Sequence, residues 1–176
     1  MNAEQSFFVL ADPEKCTGCR TCEVACFAAH TKSVAKTVGT ISSPVVPRLY
    51  IARGQRNVMP VQCHHCENAP CLASCVKGAI SKTEAGTVII NERACIGCKN
   101  CVMACPFGAI EILVKEEGGL SVANKCDLCT DNERPACVAN CPNQALRLVN
   151  PAEEVVAKRI RTADTMPVFV ENPMRG

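Results

Sequence analysis

Aromatic side chains are scarce in this sequence, and their scarcity limits how the chain can fold. Phe, Tyr and Trp together make up 3% of 176 residues, with no tryptophan at all, whereas cysteine occurs 16 times. Large aromatic side chains supply much of the buried area of an ordinary core, so this chain has little material for one. Its length allows one domain or two small ones.

The sequence also lacks the marks of export and of membrane insertion. Residues 1–10 contain no basic region, no long apolar run and no Ala-x-Ala cleavage site. No run of 18 apolar residues occurs, so we expect no membrane span. A cysteine-rich chain without an export signal indicates a reducing compartment. We therefore expect a cytoplasmic protein whose cysteines bind metal and do not form disulfides.

The cysteines fall into four groups of four, with none left over. The groups are Cys16, Cys19, Cys22 and Cys26; Cys63, Cys66, Cys71 and Cys75; Cys95, Cys98, Cys101 and Cys105; and Cys126, Cys129, Cys137 and Cys141. Only the middle gap varies among them. The third group, which continues into Pro106, has the spacing of bacterial ferredoxins, whose cysteines hold a 4Fe–4S cluster. Gly97 within it allows the backbone to pass close to a cluster.

Zinc is the main competing interpretation of a site with four cysteines. Structural zinc usually takes two Cys-x-x-Cys pairs that lie a dozen or more residues apart. The first and third groups instead place four cysteines within eleven residues. The fourth group alone would suit zinc, but its ending, Cys141-Pro142, matches that of the third group. We therefore favour iron–sulfur clusters at all four groups.

The charge of the chain gives no sign of nucleic-acid binding. The formal net charge is +2 when cysteines are counted as neutral. Four cubane clusters, each held by four thiolates, would add about −8. The loaded protein would then carry about −6 in total, which excludes a basic nucleic-acid footprint.

Short apolar segments around the cysteine groups predict short strands. They are Phe7–Leu10, Val88–Ile90 and Ile110–Val114, with a hairpin formed by Arg48–Ala52 and Val58–Val61. Each cysteine group therefore has the order strand, cluster loop, short helix and strand. This repeat predicts an α+β fold that is loop-rich and built from ferredoxin-like modules.

The C-terminal tail, residues 150–176, follows the last cysteine group and differs from it in composition. Asn150 suits a helix N-cap and Pro151 the first helical position, which predicts a helix over 151–162. The basic residues Lys158, Arg159 and Arg161 would lie in its last turn. The tail either folds back on its own domain or docks on another subunit, and we take it as a docking element.

Three histidines and one lysine complete the candidate residues. His64 and His65 lie within the second group, but a Rieske cluster replaces two cysteines and none is missing here. We interpret both as wall residues and His30 as a surface or capping residue. Lys125 could raise a cluster potential by its charge, although a solvated lysine is the default interpretation.

Two stretches carry a resemblance to a known family: Pro60-Val-Gln-Cys-His-His-Cys-Glu-Asn-Ala-Pro-Cys71 and Lys125-Cys-Asp-Leu-Cys129. With the four groups in order, the chain resembles the four-cluster electron-transfer subunits of molybdenum or tungsten oxidoreductases. The short, anchorless form is most similar to the HydN/HycB-type proteins of formate dehydrogenase–hydrogenase systems. These include formate hydrogenlyase and hydrogen-dependent CO2 reductase. The resemblance covers about residues 5–149.

The resemblance implies which cysteines share a cluster, a question that spacing alone leaves open. It implies four 4Fe–4S clusters held by Cys16, Cys19, Cys22 and Cys141; by Cys63, Cys66, Cys71 and Cys105; by Cys95, Cys98, Cys101 and Cys75; and by Cys126, Cys129, Cys137 and Cys26. An inner module, about 58–115, is then nested in an outer module formed by about 5–30 and 120–149. Residues 31–57 connect the two modules, and residues 1–149 form one four-cluster domain.

The resemblance also implies a function without substrate chemistry. The chain would relay single electrons between a catalytic formate dehydrogenase-type subunit with Mo or W and a hydrogenase or ferredoxin-linked subunit. Further copies of the chain or a paralogue are additional candidate partners. Two alternatives stay open: a free polyferredoxin carrier, and an accessory protein for the maturation of such an enzyme.

Overall fold

The computed structural model describes residues 7–31, 38–41, 44–114, 119 and 121–166, and within these it has eight short strands and five helices. The strands are β1 (Phe8–Ala11), β2 (Leu49–Arg53), β3 (Val58–Gln62), β4 (Ile80–Lys82), β5 (Val88–Ile90), β6 (Glu111–Val114), β7 (Ser121–Asn124) and β8 (Leu146–Val149). The helices are α1 (Thr21–His30), α2 (Pro70–Ala73), α3 (Asn100–Ala104), α4 (Ala136–Ala139) and α5 (Pro151–Thr165), with a 3-10 turn at Val38–Thr40. The predicted α+β, loop-rich fold is confirmed.

The strands pair two by two in antiparallel ribbons. In the described part of the chain the pairs are β1 with β8, β2 with β3, β4 with β5, and β6 with β7. The first and last strands are thus neighbours, with Phe8 opposite Val149 and Ala11 opposite Leu146. This pairing brings the cysteine group that follows β1 close to the group that precedes β8.

Cysteine thiols take a large share of the buried apolar interior. One cluster of buried side chains combines Val9, Leu49 and Leu146 with Cys22, Cys26 and Cys137. A second cluster combines Ile80, Val88 and Ile110 with Cys71 and Cys101. Cysteine is a small apolar residue when it is not ionised, so these interiors have no need of large aromatic side chains.

The predicted strands and tail helix occur close to their expected bounds. The hairpin forms as β2 and β3, and its turn is closed by the Gly54 amide, which donates to the Asn57 carbonyl at 2.9 Å. Asn150 caps α5 by accepting from the Ala152 amide at 3.0 Å. Because α5 continues to Thr165, its last turn contains no basic residue, and the predicted position of the three basic side chains is wrong. None of the described helices is long and apolar enough to cross a membrane.

Candidate metal centres

Cys95, Cys98 and Cys101 line one cavity together with Cys75, and we call this site 3. Cys95 and Cys98 lie in the loop that leads into α3, Cys101 lies in the first turn of α3, and Cys75 follows α2. The loop is held tightly at Gly97, which has a φ of 66°. A Cβ atom there would overlap the carbonyl oxygen of Ser121 on β7. The close approach that requires glycine is therefore between two backbone segments.

Two further cavities are each lined by four cysteines from two groups. Site 2 is lined by Cys63, Cys66, Cys71 and Cys105. Site 1 is lined by Cys16, Cys19, Cys22 and Cys141. In both, as in site 3, the fourth cysteine of one group joins the first three of another. The fourth cysteine in each case comes from a distant part of the chain. The pairing of the strands and the packing of α1 on α4 and of α2 on α3 bring it close to the other three cysteines.

The remaining cysteines, Cys26, Cys126, Cys129 and Cys137, are all buried, and we call them site 4. Cys26 and Cys137 belong to one buried cluster, at the contact between α1 and α4. Burial, together with the nearby charge of Cys26 and Cys129, raises the pKa of the Cys137 thiol to about 12, and Cys137 and Cys26 likewise raise the pKa of Cys126. The four thiols are therefore close enough to affect each other's ionisation.

The four sites lie in a row. Cys71, Cys75, Cys95 and Cys101 share one buried cluster, which joins site 3 to site 2. Cys63, Cys105 and Cys126 share another, which joins site 2 to site 4. Cys22, Cys26, Cys137 and Cys141 share the cluster that joins site 4 to site 1. The order is 3–2–4–1, and the two exposed cysteines, Cys98 and Cys19, belong to the two end sites.

Backbone amides point at the sulfur atoms of all four sites. The Sγ atoms that accept an amide hydrogen, at 3.2 to 3.5 Å, are those of Cys26, Cys63, Cys75, Cys95, Cys105, Cys126 and Cys141. Three of the donors are Ala79, Ala109 and Ala145, each four residues after the last cysteine of its group. All three alanines are buried, and they occupy equivalent positions after the second, third and fourth cysteine groups. Such hydrogen bonds favour thiolate sulfur over the neutral thiol.

Eight of the sixteen thiols are buried, and burial acts against ionisation. It raises the pKa of Cys22 to about 12 and shifts the pKa of Cys126 still higher. A buried thiolate needs a nearby cation, which a bound metal supplies. Sets of four sulfurs, most of them buried or partly buried and each set with amide donors, therefore fit iron–sulfur clusters.

His30 does not lie on the surface as the sequence suggested. Its Nε2 lies 2.9 Å from Oδ1 of Asp127, and its Nδ1 lies 2.7 Å from the carbonyl oxygen of Cys26, near the C-terminal end of α1. Arg48 forms an ion pair with the other oxygen of Asp127. The side chains of Arg48, Asp127 and His30 thus form a network of an ion pair and hydrogen bonds beside site 4. The capping part of the interpretation agrees with the contact to Cys26.

His64 and His65 both contact site 2, in different ways. The His64 ring lines its cavity and stacks between Phe8 and Phe107, with centroid distances of 5.4 and 4.2 Å. His65 is fully buried; its amide donates to Sγ of Cys63, and its Nδ1 accepts from the Val88 amide at 3.1 Å. Both histidines therefore form walls of site 2.

Lys125 is the functional candidate that sequence reasoning placed wrongly. Its exposed fraction is 4%, so it is not a solvated side chain. Its Nζ donates to the carbonyl oxygens of Val88 and Cys126. The only sequence signal is its position between a strand and a cysteine group, and that position does not report burial.

The two ends of the row present different surfaces. Beside site 3, three apolar side chains are exposed: Val76 by 72%, Ile96 by 51% and Met103 by 85%. Beside site 1, the corresponding loops carry Thr17 and Asn143, whose side chains share a hydrogen bond of 2.8 Å. The surface beside site 3 therefore contains exposed apolar side chains, whereas the corresponding loops beside site 1 carry a polar contact.

Comparison with known proteins places the chain among iron–sulfur proteins. Residues 55–151 match the family model described as a 4Fe–4S dicluster domain. The chain is 43% identical over 171 residues to the electron transport protein HydN of Escherichia coli (strain K12), covering 89% of this chain and 97% of that protein. It is 41% identical over 176 residues to hydrogenase-4 component A of the same organism, covering 81% and 82%. A solved structure, the active site complex BamBC of benzoyl coenzyme A reductase, aligns over 90% of this chain and 91% of that one, with 23% identity and a TM-score of 0.43.

Proposed function

The chain belongs to the 4Fe–4S dicluster domain family, and from that premise we propose that it is a non-catalytic electron-transfer subunit with four 4Fe–4S clusters. The observation that carries the proposal is the row of four sites, each with four cysteines, that ends in one exposed cysteine at either side. The similarity to an electron transport protein over nearly its whole length supports the same role.

We assign one cluster to each site as defined above, so that the sixteen cysteines serve as the iron ligands. A 4Fe–4S cluster, when bound, takes up and releases one electron at a potential that its surroundings set. The chain supplies those surroundings. It holds each cluster by thiolates from two groups, surrounds it with apolar side chains that exclude water, and directs amide hydrogens at the sulfurs.

The proposed path of the electrons runs along the row of sites. Electrons would enter at one end site and leave at the other, through sites 2 and 4. The nested modules agree with this path. We propose that the outer module contains sites 1 and 4 and the inner module sites 2 and 3, which is supported by the pairing of β1 with β8 and of β4 with β5.

The proposed partners are two redox subunits, one at each end of the row. We propose a formate dehydrogenase-type subunit with Mo or W and a hydrogenase subunit. The similarity to a protein named as a hydrogenase component supports the second, and the motif resemblance supports the first. Sixteen thiols that must stay reduced until clusters are inserted favour a cytoplasmic location.

Purification of the native complex through a tag on this chain, without oxygen, tests the function. We expect a Mo- or W-containing subunit and a hydrogenase subunit to copurify, and we expect formate to bleach the visible absorption of this chain. Recovery of the loaded chain alone, with no stable partner, would instead support a free polyferredoxin carrier. Copurification with partners but no bleaching by formate or hydrogen would support a maturation role.

A further inference from the structure

Lys125 is a buried cation without a carboxylate partner in the described part of the chain. It directly follows β7 and is 4% exposed. Its two hydrogen-bond acceptors are backbone carbonyl oxygens, those of Val88 and of Cys126, the latter at 2.7 Å. The nearby carboxylates of Asp127 and Glu92, which line a cavity together with Lys125, both pair with Arg48, and Asp127 also contacts His30.

A buried ammonium group is costly unless an opposite charge lies close to it. Removal of such an ion from water is unfavourable even after the surrounding structure relaxes. Two carbonyl dipoles offset part of this cost, but they do not neutralise a full charge. A lysine buried in this way therefore indicates a negative charge that the polypeptide alone does not provide.

The position of Lys125 identifies where that negative charge would be. It precedes Cys126 of site 4 and donates to its carbonyl, and it bonds Val88, which lines the cavity of site 2. Lys125 thus lies at the junction between sites 2 and 4, in the middle of the row.

We propose that Lys125 is the counter-cation of the two central sites and raises the reduction potential of the clusters bound there. The inference rests on the proposed function, since it requires clusters in sites 2 and 4. Each cluster with its thiolates is anionic, and an added electron increases that negative charge. A fixed positive charge nearby therefore stabilises the reduced form more than the oxidised form.

The test compares reduction potentials in variants of the full-length, cluster-loaded chain. Lys125→Met and Lys125→Gln both remove the charge, and Gln keeps hydrogen-bond donors for the two carbonyls. Lys125→Arg keeps the charge. Lys158→Met is the control, because Lys158 is an exposed lysine of α5 that lines none of the cysteine cavities described above. Its charge is hydrated and screened by salt.

Iron content of the unmodified protein is measured first, because it tests the proposed function independently of Lys125. A redox titration followed by electron paramagnetic resonance then gives the midpoint potentials. In the Met and Gln variants we expect at least one midpoint potential to fall by about 59 mV. This shift corresponds to a tenfold change in the equilibrium constant of a one-electron reduction. Lys158→Met and Lys125→Arg should leave the midpoints in place.

Every other outcome also decides the matter. Unchanged midpoints in a loaded Met or Gln variant would overturn the proposal. If both neutral variants fail to retain iron while Lys125→Arg retains it, the requirement is for charge and the proposal stands. If the Arg variant loses iron as well, the site requires the shape of lysine, and the counter-cation role is dropped.

Discussion

Cys75 lines the cavity of site 3, although the sequence places it in the second cysteine group. If Cys75 is a ligand there, Cys75→Ser should alter the same cluster as Cys95→Ser, because serine replaces one of four thiolates in each case. Cys63→Ser, in the group to which Cys75 belongs by sequence, should alter a different one. Low-temperature electron paramagnetic resonance of the three variants measures this. Matching spectra for Cys75→Ser and Cys63→Ser would contradict the exchange of ligands between groups.

Gly97 offers a second test at the level of one residue. Gly97→Ala should weaken site 3, because the new Cβ would overlap Ser121 in addition to the cost of an L-residue at positive φ, roughly 1–2 kcal/mol. Gly78→Ala is the matched control, since Gly78 also has a positive φ, 60°, but open space around its Cβ position. We expect cluster bleaching on warming to be clearly faster in Gly97→Ala. Equal rates would show that the contact with Ser121 has no effect on site 3.

Residue-level features differ in how far the sequence reveals them. The cysteine grouping follows from spacing, because three ligands of each site come from one continuous segment. The need for glycine at position 97 is also visible, but the sequence suggested a close approach to a cluster, and the backbone contact with Ser121 was not foreseen. The burial of Lys125 and His30 depends on which segments pack over them, and nothing local in the sequence reports this.

Among the elements, the strands with β-branched runs and the capped tail helix were predictable. Val88–Ile90 is apolar throughout, and Asn150-Pro151 marks a helix start. The helices α2 and α4 have four residues each, which is too short for a helical period to appear. The helices α1 and α3 start after Arg20 and Lys99, whose φ values are 62° and 68°. Left-handed residues other than glycine leave no sequence signal for a helix start.

An ion pair between Glu154 and Arg147 joins the tail helix α5 to the domain. Glu154 accepts from Arg147 of β8 at 2.8 Å and from Arg161 at 3.0 Å, and these bonds hold the pKa of its carboxyl well below the usual range. Its apolar side chains Val155, Val156 and Ile160 are exposed. A helix of this length is marginal in water by itself, and its free apolar stripe agrees with the expected docking role.

Deletion of residues 151–176 should therefore leave iron content and visible absorption unchanged, because all sixteen cysteines precede the deletion. It should weaken binding to the partner enzyme. Glu154→Gln, which loosens α5 but keeps its apolar stripe, should weaken that binding less. Iron analysis and sedimentation of the complex measure both effects. Loss of iron on truncation would mean that α5 packs on its own domain, and the docking role would be abandoned.

For the whole molecule, the order of the sites could not be read from the sequence. Spacing left open whether the second group pairs with the third or the third with the fourth. The order 3–2–4–1 depends on contacts such as those among Cys63, Cys105 and Cys126, which lie far apart in the chain. Only the ends of the row carry exposed cysteines, and this feature also arises from the packing of modules.

Folding of the whole chain should depend on metal. Buried thiols occupy much of the interior, and aromatic side chains are few, so little apolar area remains to offset the loss of chain entropy. The chain purified without iron should give poorly dispersed amide signals in nuclear magnetic resonance spectra. Reconstitution with iron and sulfide should restore dispersion outside the signals that the clusters broaden. A well-dispersed spectrum of the metal-free chain would show that the polypeptide alone folds.

Iron and acid-labile sulfide content of the protein purified without oxygen tests the central claim most directly. Four sites with four cysteines each predict about sixteen iron and about sixteen sulfide per chain, in a brown protein. Native mass spectrometry of the same sample should show one species that carries four cubane clusters. Iron near eight per chain, or zinc as the main metal, would contradict the account of a four-cluster electron-transfer subunit.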